Sequence, residues 1–191
     1  MFGLSLADHL RLTFGHVIYS HKLHAASAER HARWDRWLKA AEALLLLSTA
    51  VVSAALVVNP NPNLAIAAAI AAALGMAVLI VRLACDFERS SLAHRVCSTR
   101  LWHVREQYRA VLADLKDGAL TIEAARDRRD ALMASVQRIY EHAPPADREQ
   151  YQTARQSLAA LDEARLSDEE IDRFLPASLH KTESSPEVSA S

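Results

Sequence analysis

Two uninterrupted apolar blocks stand in the middle of the chain, Ala43 to Val58 and Leu64 to Val81, with helix-patterned polar sequence on either side. The first draws on five Leu and four Val, and the second mixes strongly apolar residues with Ala and Gly75. At about 1.5 Å per residue, some eighteen residues reach roughly 27 Å, close to the hydrocarbon thickness of a bilayer once flanking side chains snorkel. Each strongly apolar residue adds about −0.3 to −0.6 kcal/mol, so insertion is favoured by a few kcal/mol per helix. The pattern predicts membrane spans at residues 38–58 and 64–84, the first acting as its own signal anchor.

Asn59-Pro60-Asn61-Pro62-Asn63 separates the blocks and carries no charge. A residue before proline is pushed out of the helical region, which ends the first helix at Asn59; Asn61 can cap a new helix with Pro62 at its first position. Residues 59–63 are therefore expected to form a short extracytoplasmic turn that makes the two helices antiparallel neighbours. Lys22, Arg30, Arg33, Arg36 and Lys39 precede the first block, and Arg82, Arg89, Arg95 and Arg100 follow the second. By the positive-inside rule both termini are expected in the cytoplasm. Trp34 and Trp37 stand just before the first span, where indoles serve as interface anchors.

Outside the hairpin the period is also helical. Leu10, Phe14 and Val17 give an apolar face in an N-terminal cytoplasmic helix (1–37), opened by Ser5-Leu6-Ala7-Asp8. After the second span, Leu101, Val104, Tyr108, Val111 and Leu115 alternate steps of three and four residues, a seam suited to a bundle or to pairing between copies. Asp117-Gly118 ends that helix, and Thr121 can cap a next one bearing Ile122, Ala125, Leu132, Val136 and Ile139 before Pro144-Pro145. Tyr151, Ala154, Leu158 and Leu161 form a third seam. Ser167-Asp168-Glu169-Glu170 reads as a capping box, which closes a cytoplasmic region of residues 85–175. The Ser-rich residues 176–191 are expected to be a disordered tail. The fold class is all-α: an integral membrane hairpin of two transmembrane helices, with an N-terminal helix and a cytoplasmic C-terminal helical bundle or coiled coil.

Composition narrows the function. The 22 basic and 23 acidic residues are interleaved, leaving no positive footprint for nucleic acid. Four Gly in the whole chain, with no phosphate loop, nucleophile elbow or H-E-x-x-H helix, argue against an enzyme and against a cofactor. Arg126, Arg128 and Arg129 read as a solvated face. Cys85 and Cys97 are too far apart on a helix to pair. His21 with His24, and His94 with Cys97, have one-turn ligand spacing, but no second ligand group completes a tetrahedral set, so no metal is expected.

Within the spans, Glu42, Thr49 and Ser53 fall on one side of the first helix, as a pore-lining or packing stripe. On the second, Ala67, Ala71 and Gly75 follow a small-xxx-small packing rule, and Ala69, Ala73 and Ala77 do so on another side, which allows a hairpin partner and a second protomer.

His16-Val17-Ile18-Tyr19-Ser20-His21-Lys22-Leu23-His24, the charged helix ending Trp34-Asp35-Arg36-Trp37-Leu38-Lys39, and the span that follows resemble the SLATT family over roughly residues 10–165. The resemblance implies a two-transmembrane effector of a bacterial anti-phage conflict system in the inner membrane. Such an effector would oligomerise into a pore or disrupt the bilayer when a second-messenger nucleotide synthetase or nucleotide-sensing partner activates it. The family offers no catalytic residues to carry over. The alternative is a non-conducting anchor that recruits a cytoplasmic partner. A phage holin is a weaker third reading, since the long arm exceeds what a holin needs.

Overall fold

The computed structural model describes residues 5–145 and 168–181, and every regular element among them is helical. In chain order these are α1 (Leu6–Val58), α2 (Pro62–Cys85), α3 (Phe87–Lys116), α4 (Ile122–Glu141) and the short α5 (Asp168–Asp172), followed by a 3₁₀ turn at Ala177–Leu179. The seam expected at Tyr151, Ala154, Leu158 and Leu161 lies outside the described residues, as does Ser167 of the expected capping box.

The helix boundaries follow from local chemistry. α1 stops at Val58, where Asn59 meets Pro60. Asn61, in extended conformation, caps α2: its side chain accepts from the Asn63 N–H at 2.9 Å, and Pro62 fills the first helical position, where no N–H is needed. Asp86 takes a left-handed conformation (φ 41°) that Asp tolerates better than most residues, and this separates α2 from α3. Its N–H donates to the Arg82 carbonyl at 3.2 Å, and its carboxylate accepts from the Arg89 N–H at 3.3 Å, so one residue ends one helix and caps the next. Gly118, with φ +67°, closes α3, and the Thr121 hydroxyl caps α4 by accepting from the Ala124 N–H at 3.2 Å.

The described chain forms two compact units, one of residues 1–24 with 96–191 and the other Ala25–Arg95. In the first, the α1 residues Leu10, Phe14, Val17 and Ile18 are buried against the α3 seam of Leu101, Val104, Tyr108 and Val111, with Leu132 and Ile139 from α4. The α1 and α3 rows each supply about two positions per heptad to this core, which is a helical bundle closed within one chain. In α4 the buried residues are Ala125, Leu132 and Ile139, seven apart; Ile122, in the opening turn, stays exposed. Tyr108 is fully enclosed with its hydroxyl unpaired, and burial pushes that phenol up to about 12.

Residues 168–181 add a further layer to this unit: Ile171 and Leu175 enter the core, polar groups fasten both flanks, and the turn at Ala177–Leu179 falls where the sequence expectation begins its tail. Arg11 pairs with Asp172 and donates to the Leu179 carbonyl at 2.6 Å, Lys181 pairs with Asp168 at 2.7 Å, and the Lys22 ammonium sits 4.1 Å over the Phe174 ring.

Phe14 is 1% exposed at the centre of this core. Phe14→Ala is expected to destabilise the helical bundle by about 3–5 kcal/mol, the usual cost of emptying a buried aromatic site. Denaturant unfolding in detergent, followed by helix content, measures the loss.

Candidate functional site

The second unit contains the hairpin, and its burial pattern gives the packing seam directly. On α1 the shielded positions through the span are Glu42, Leu45, Thr49, Val52 and Leu56; on α2 they are Leu64, Ala68, Ala71, Gly75, Val78 and Arg82, with Leu79 beside them. Both rows alternate steps of three and four, the signature of left-handed helix packing. Gly75 lets the backbones approach, since a Cβ built there would lie 3.6 Å from the Leu45 Cβ.

This seam differs in part from the sequence expectation. Ala71 and Gly75 are on it, but Ala68 is buried and Ala67 is exposed, because the seam steps four from Gly75 to Ala71 and then three to Ala68, whereas a second step of four leads to Ala67 and away from the contact. Glu42 and Thr49 face the partner helix, whereas Ser53 is exposed on the flank of the row. The Thr49 hydroxyl donates to the Leu45 carbonyl at 2.8 Å, which satisfies it within its own helix. Ala69, Ala73 and Ala77 are all exposed on the far side of α2.

At the end of the hairpin opposite the Asn-Pro turn, charge is arranged in pairs. Glu42 of α1 meets Arg82 of α2 at 3.2 Å. Lys39 bridges Asp35, one turn back on α1, at 2.8 Å and Glu88 on α3 at 2.9 Å. A turn further along, the His31 and His94 rings stack at 5.3 Å, and the buried Ser91 hydroxyl donates to the Ala28 carbonyl at 2.9 Å, tying α1 to α3. Trp34 and Trp37 project outward, 53% and 73% exposed, rather than packing on a neighbouring helix.

Other residues singled out from the sequence belong to the first unit. The seam Leu101, Val104, Tyr108, Val111 and Leu115 is covered within the chain. His21 is held below its ordinary range by burial and then by the Arg105 and Lys22 charges; His24 is lowered by burial alone. Burial pushes the Cys97 thiol up against a weaker opposing effect of Arg100, which lowers its reactivity. Among the described residues no group of three or more potential metal ligands converges. Arg128 pairs with Asp114 and Arg129 with Asp130, both at 2.8 Å on the bundle surface.

The deciding quantity is what covers the apolar blocks. None of the most apolar window of α1, and 11% of that in the stretch Pro62–Lys116, is buried by the chain itself. Leu44, Val51, Val57, Ile66, Ile70 and Ile80 are each more than half exposed. The core helix of a soluble protein would be covered, so these faces belong in lipid. A family model for the SMODS and SLOG-associating 2TM effector domain family 4 matches residues 6–170.

The chain belongs to this 2TM effector family. No curated protein and no solved structure matches it. The match covers the hairpin, the whole of α1, α3 and α4, and the start of α5, so in this effector domain the family extends well beyond the spans. The sequence pointed to the hairpin and ended its second span at residue 84 without assigning a helix break to Asp86; the available signal was an Asp between the apolar block and Phe87-Glu88, where a helix cap is in keeping with its chemistry.

Leu45 and Gly75 approach closely enough for a covalent test. With Cys85 and Cys97 replaced, L45C/G75C is expected to form an intramolecular disulfide under mild oxidation in membranes, because a Cβ–Cβ separation near 3.8 Å suits the bond. L45C/A69C is expected not to. A faster-migrating oxidised band on non-reducing gels reads the result.

Proposed function

We propose that this 2TM effector acts by permeabilising the bacterial inner membrane, with both termini cytoplasmic, when several hairpins assemble on activation by a nucleotide-signalling partner. The observation that carries the reading is the lipid-facing exposure of both apolar blocks around a seam already closed by Glu42, Leu45, Thr49, Ala68, Ala71 and Gly75. Two helices packed on each other enclose no channel, so an aqueous path requires further copies. The exposed Ala69, Ala73 and Ala77 row offers a second close-approach face, and the exposed Ser53 supplies a hydroxyl outside the closed seam. The family's association with SMODS and SLOG supports a nucleotide-linked partner as the trigger.

The α3 seam is occupied within the chain. Assembly in this reading therefore runs through the membrane faces, with the extramembrane bundle receiving the signal. A second reading, a non-conducting anchor, draws on the exposed Trp102, Ile122 and Met133 of the bundle, which suit a protein partner.

Induced expression together with the activating partner is expected to collapse the membrane potential, read with a voltage-sensitive dye, within the time cells stop growing. A69L/A73L/A77L is expected to abolish depolarisation while the protein stays in the membrane. A normal potential at full expression with the partner active overturns the pore reading and leaves the anchor.

A further inference from the structure

Within the hairpin unit, Ala25–Arg95, seven basic side chains face five acidic ones, although the chain as a whole has a formal charge of −1. The acidic groups nearest the apolar blocks are engaged locally. Asp35 and Glu88 share Lys39, Glu42 meets Arg82, and the Asp86 carboxylate caps α3. The side chains of Arg33, Arg36 and Arg89, by contrast, are exposed and have no hydrogen-bonding or ion-pair partner among the described residues.

Their depth is set by the helix. Counting about 20 residues, or roughly 30 Å, from the Asn-Pro turn places the hydrocarbon boundary near Lys39 on α1 and Arg82 on α2. Trp37 then lies just outside it, and Arg33 one turn, about 5–6 Å, further out. At 100° per residue, Arg33, Trp37 and Trp34 share one side of α1 and Arg36 flanks them, while Arg89 stands in the first turn of α3, just past the Asp86 break that ends the returning helix. An indole at the glycerol level with a guanidinium above it at the phosphate level matches an acidic lipid headgroup in both polarity and charge.

We propose that Arg33, Arg36 and Arg89, with Trp34 and Trp37, form a collar that binds anionic phospholipid headgroups. The collar rests on the hairpin lying in the bilayer and is independent of whether hairpins conduct. Its occupant is a lipid because the cations continue directly into the lipid-facing apolar surface, a position where the acyl chains of the same molecule have cover and a free anion would gain nothing.

Delipidated full-length protein in neutral detergent, titrated with phosphatidylglycerol or phosphatidylcholine of the same acyl chains and read by native mass spectrometry, tests this. The wild type is expected to retain phosphatidylglycerol preferentially. R33Q/R36Q/R89Q is expected to weaken that retention about fivefold per arginine, on the order of a hundredfold in all. R33K/R36K/R89K, which keeps the charge, is expected to preserve the preference, as is R100Q/R126Q outside the unit. Equal retention of the two lipids, an unchanged preference in the Gln variant, or full displacement by millimolar inorganic phosphate would overturn the proposal. Equal retention of the two lipids by the wild type with depolarisation intact counts against the collar alone; preferential retention of phosphatidylglycerol with a normal membrane potential counts against the pore alone.

Discussion

The backbone of a chain placed in hydrocarbon has no water to hydrogen-bond, so every N–H and C=O in that zone must be satisfied inside the segment. α1 and α2 do this as uninterrupted helices, and several of the polar side chains within them are also closed locally. Thr49 and Ser48 both donate to the Leu45 carbonyl, and Glu42 is matched by Arg82 at the boundary. Apart from the Ser53 hydroxyl, the outward surface is dominated by Leu, Ile, Val and Ala, which water excludes and lipid does not. The position of the turn, the charges and the indoles follow from this constraint.

Because lipid is as apolar as the side chains, burial of Leu or Val gives little drive for helix to meet helix in the membrane. Close approach matters more. The Leu45–Gly75 contact, with Ala68 and Ala71 on the same row, brings the backbones together, and the short turn supplies proximity without further cost. Outside the bilayer the balance is different. There the core of Leu10, Phe14, Leu101 and Tyr108 is driven by exclusion from water, and the cations of Arg11 and Lys181 only fasten what apolar contact has already positioned.

Much of this was legible in the residues. The uncharged blocks, the Asn-Pro turn with Asn61 as cap, the Gly118 stop and the Thr121 cap each depend on a few neighbouring side chains. The seam from Leu101 to Leu115 was legible as a stripe, but not whether its partner was the same chain or another, because two positions per heptad serve both uses. The sequence expectation put Ala67 rather than Ala68 in the packing row for a related reason: an alanine-rich helix carries small residues on every side, and only the crossing direction selects the row. The ordering of Ala177–Leu179 depends on Arg11, far away in sequence, and no local pattern announces it.

The two-span arrangement is tested most directly by the side of the membrane on which the turn emerges. In a background with Cys85 and Cys97 replaced, a cysteine introduced by Asn63→Cys should react with a membrane-impermeant maleimide in intact spheroplasts, while one introduced by Ser178→Cys should react only after permeabilisation. If the turn cysteine stays protected until lysis while the Ser178→Cys thiol reacts in intact spheroplasts, the hairpin is inverted; if both stay protected, or alkaline carbonate strips the chain from the membrane, it does not cross the bilayer, and either result contradicts the account.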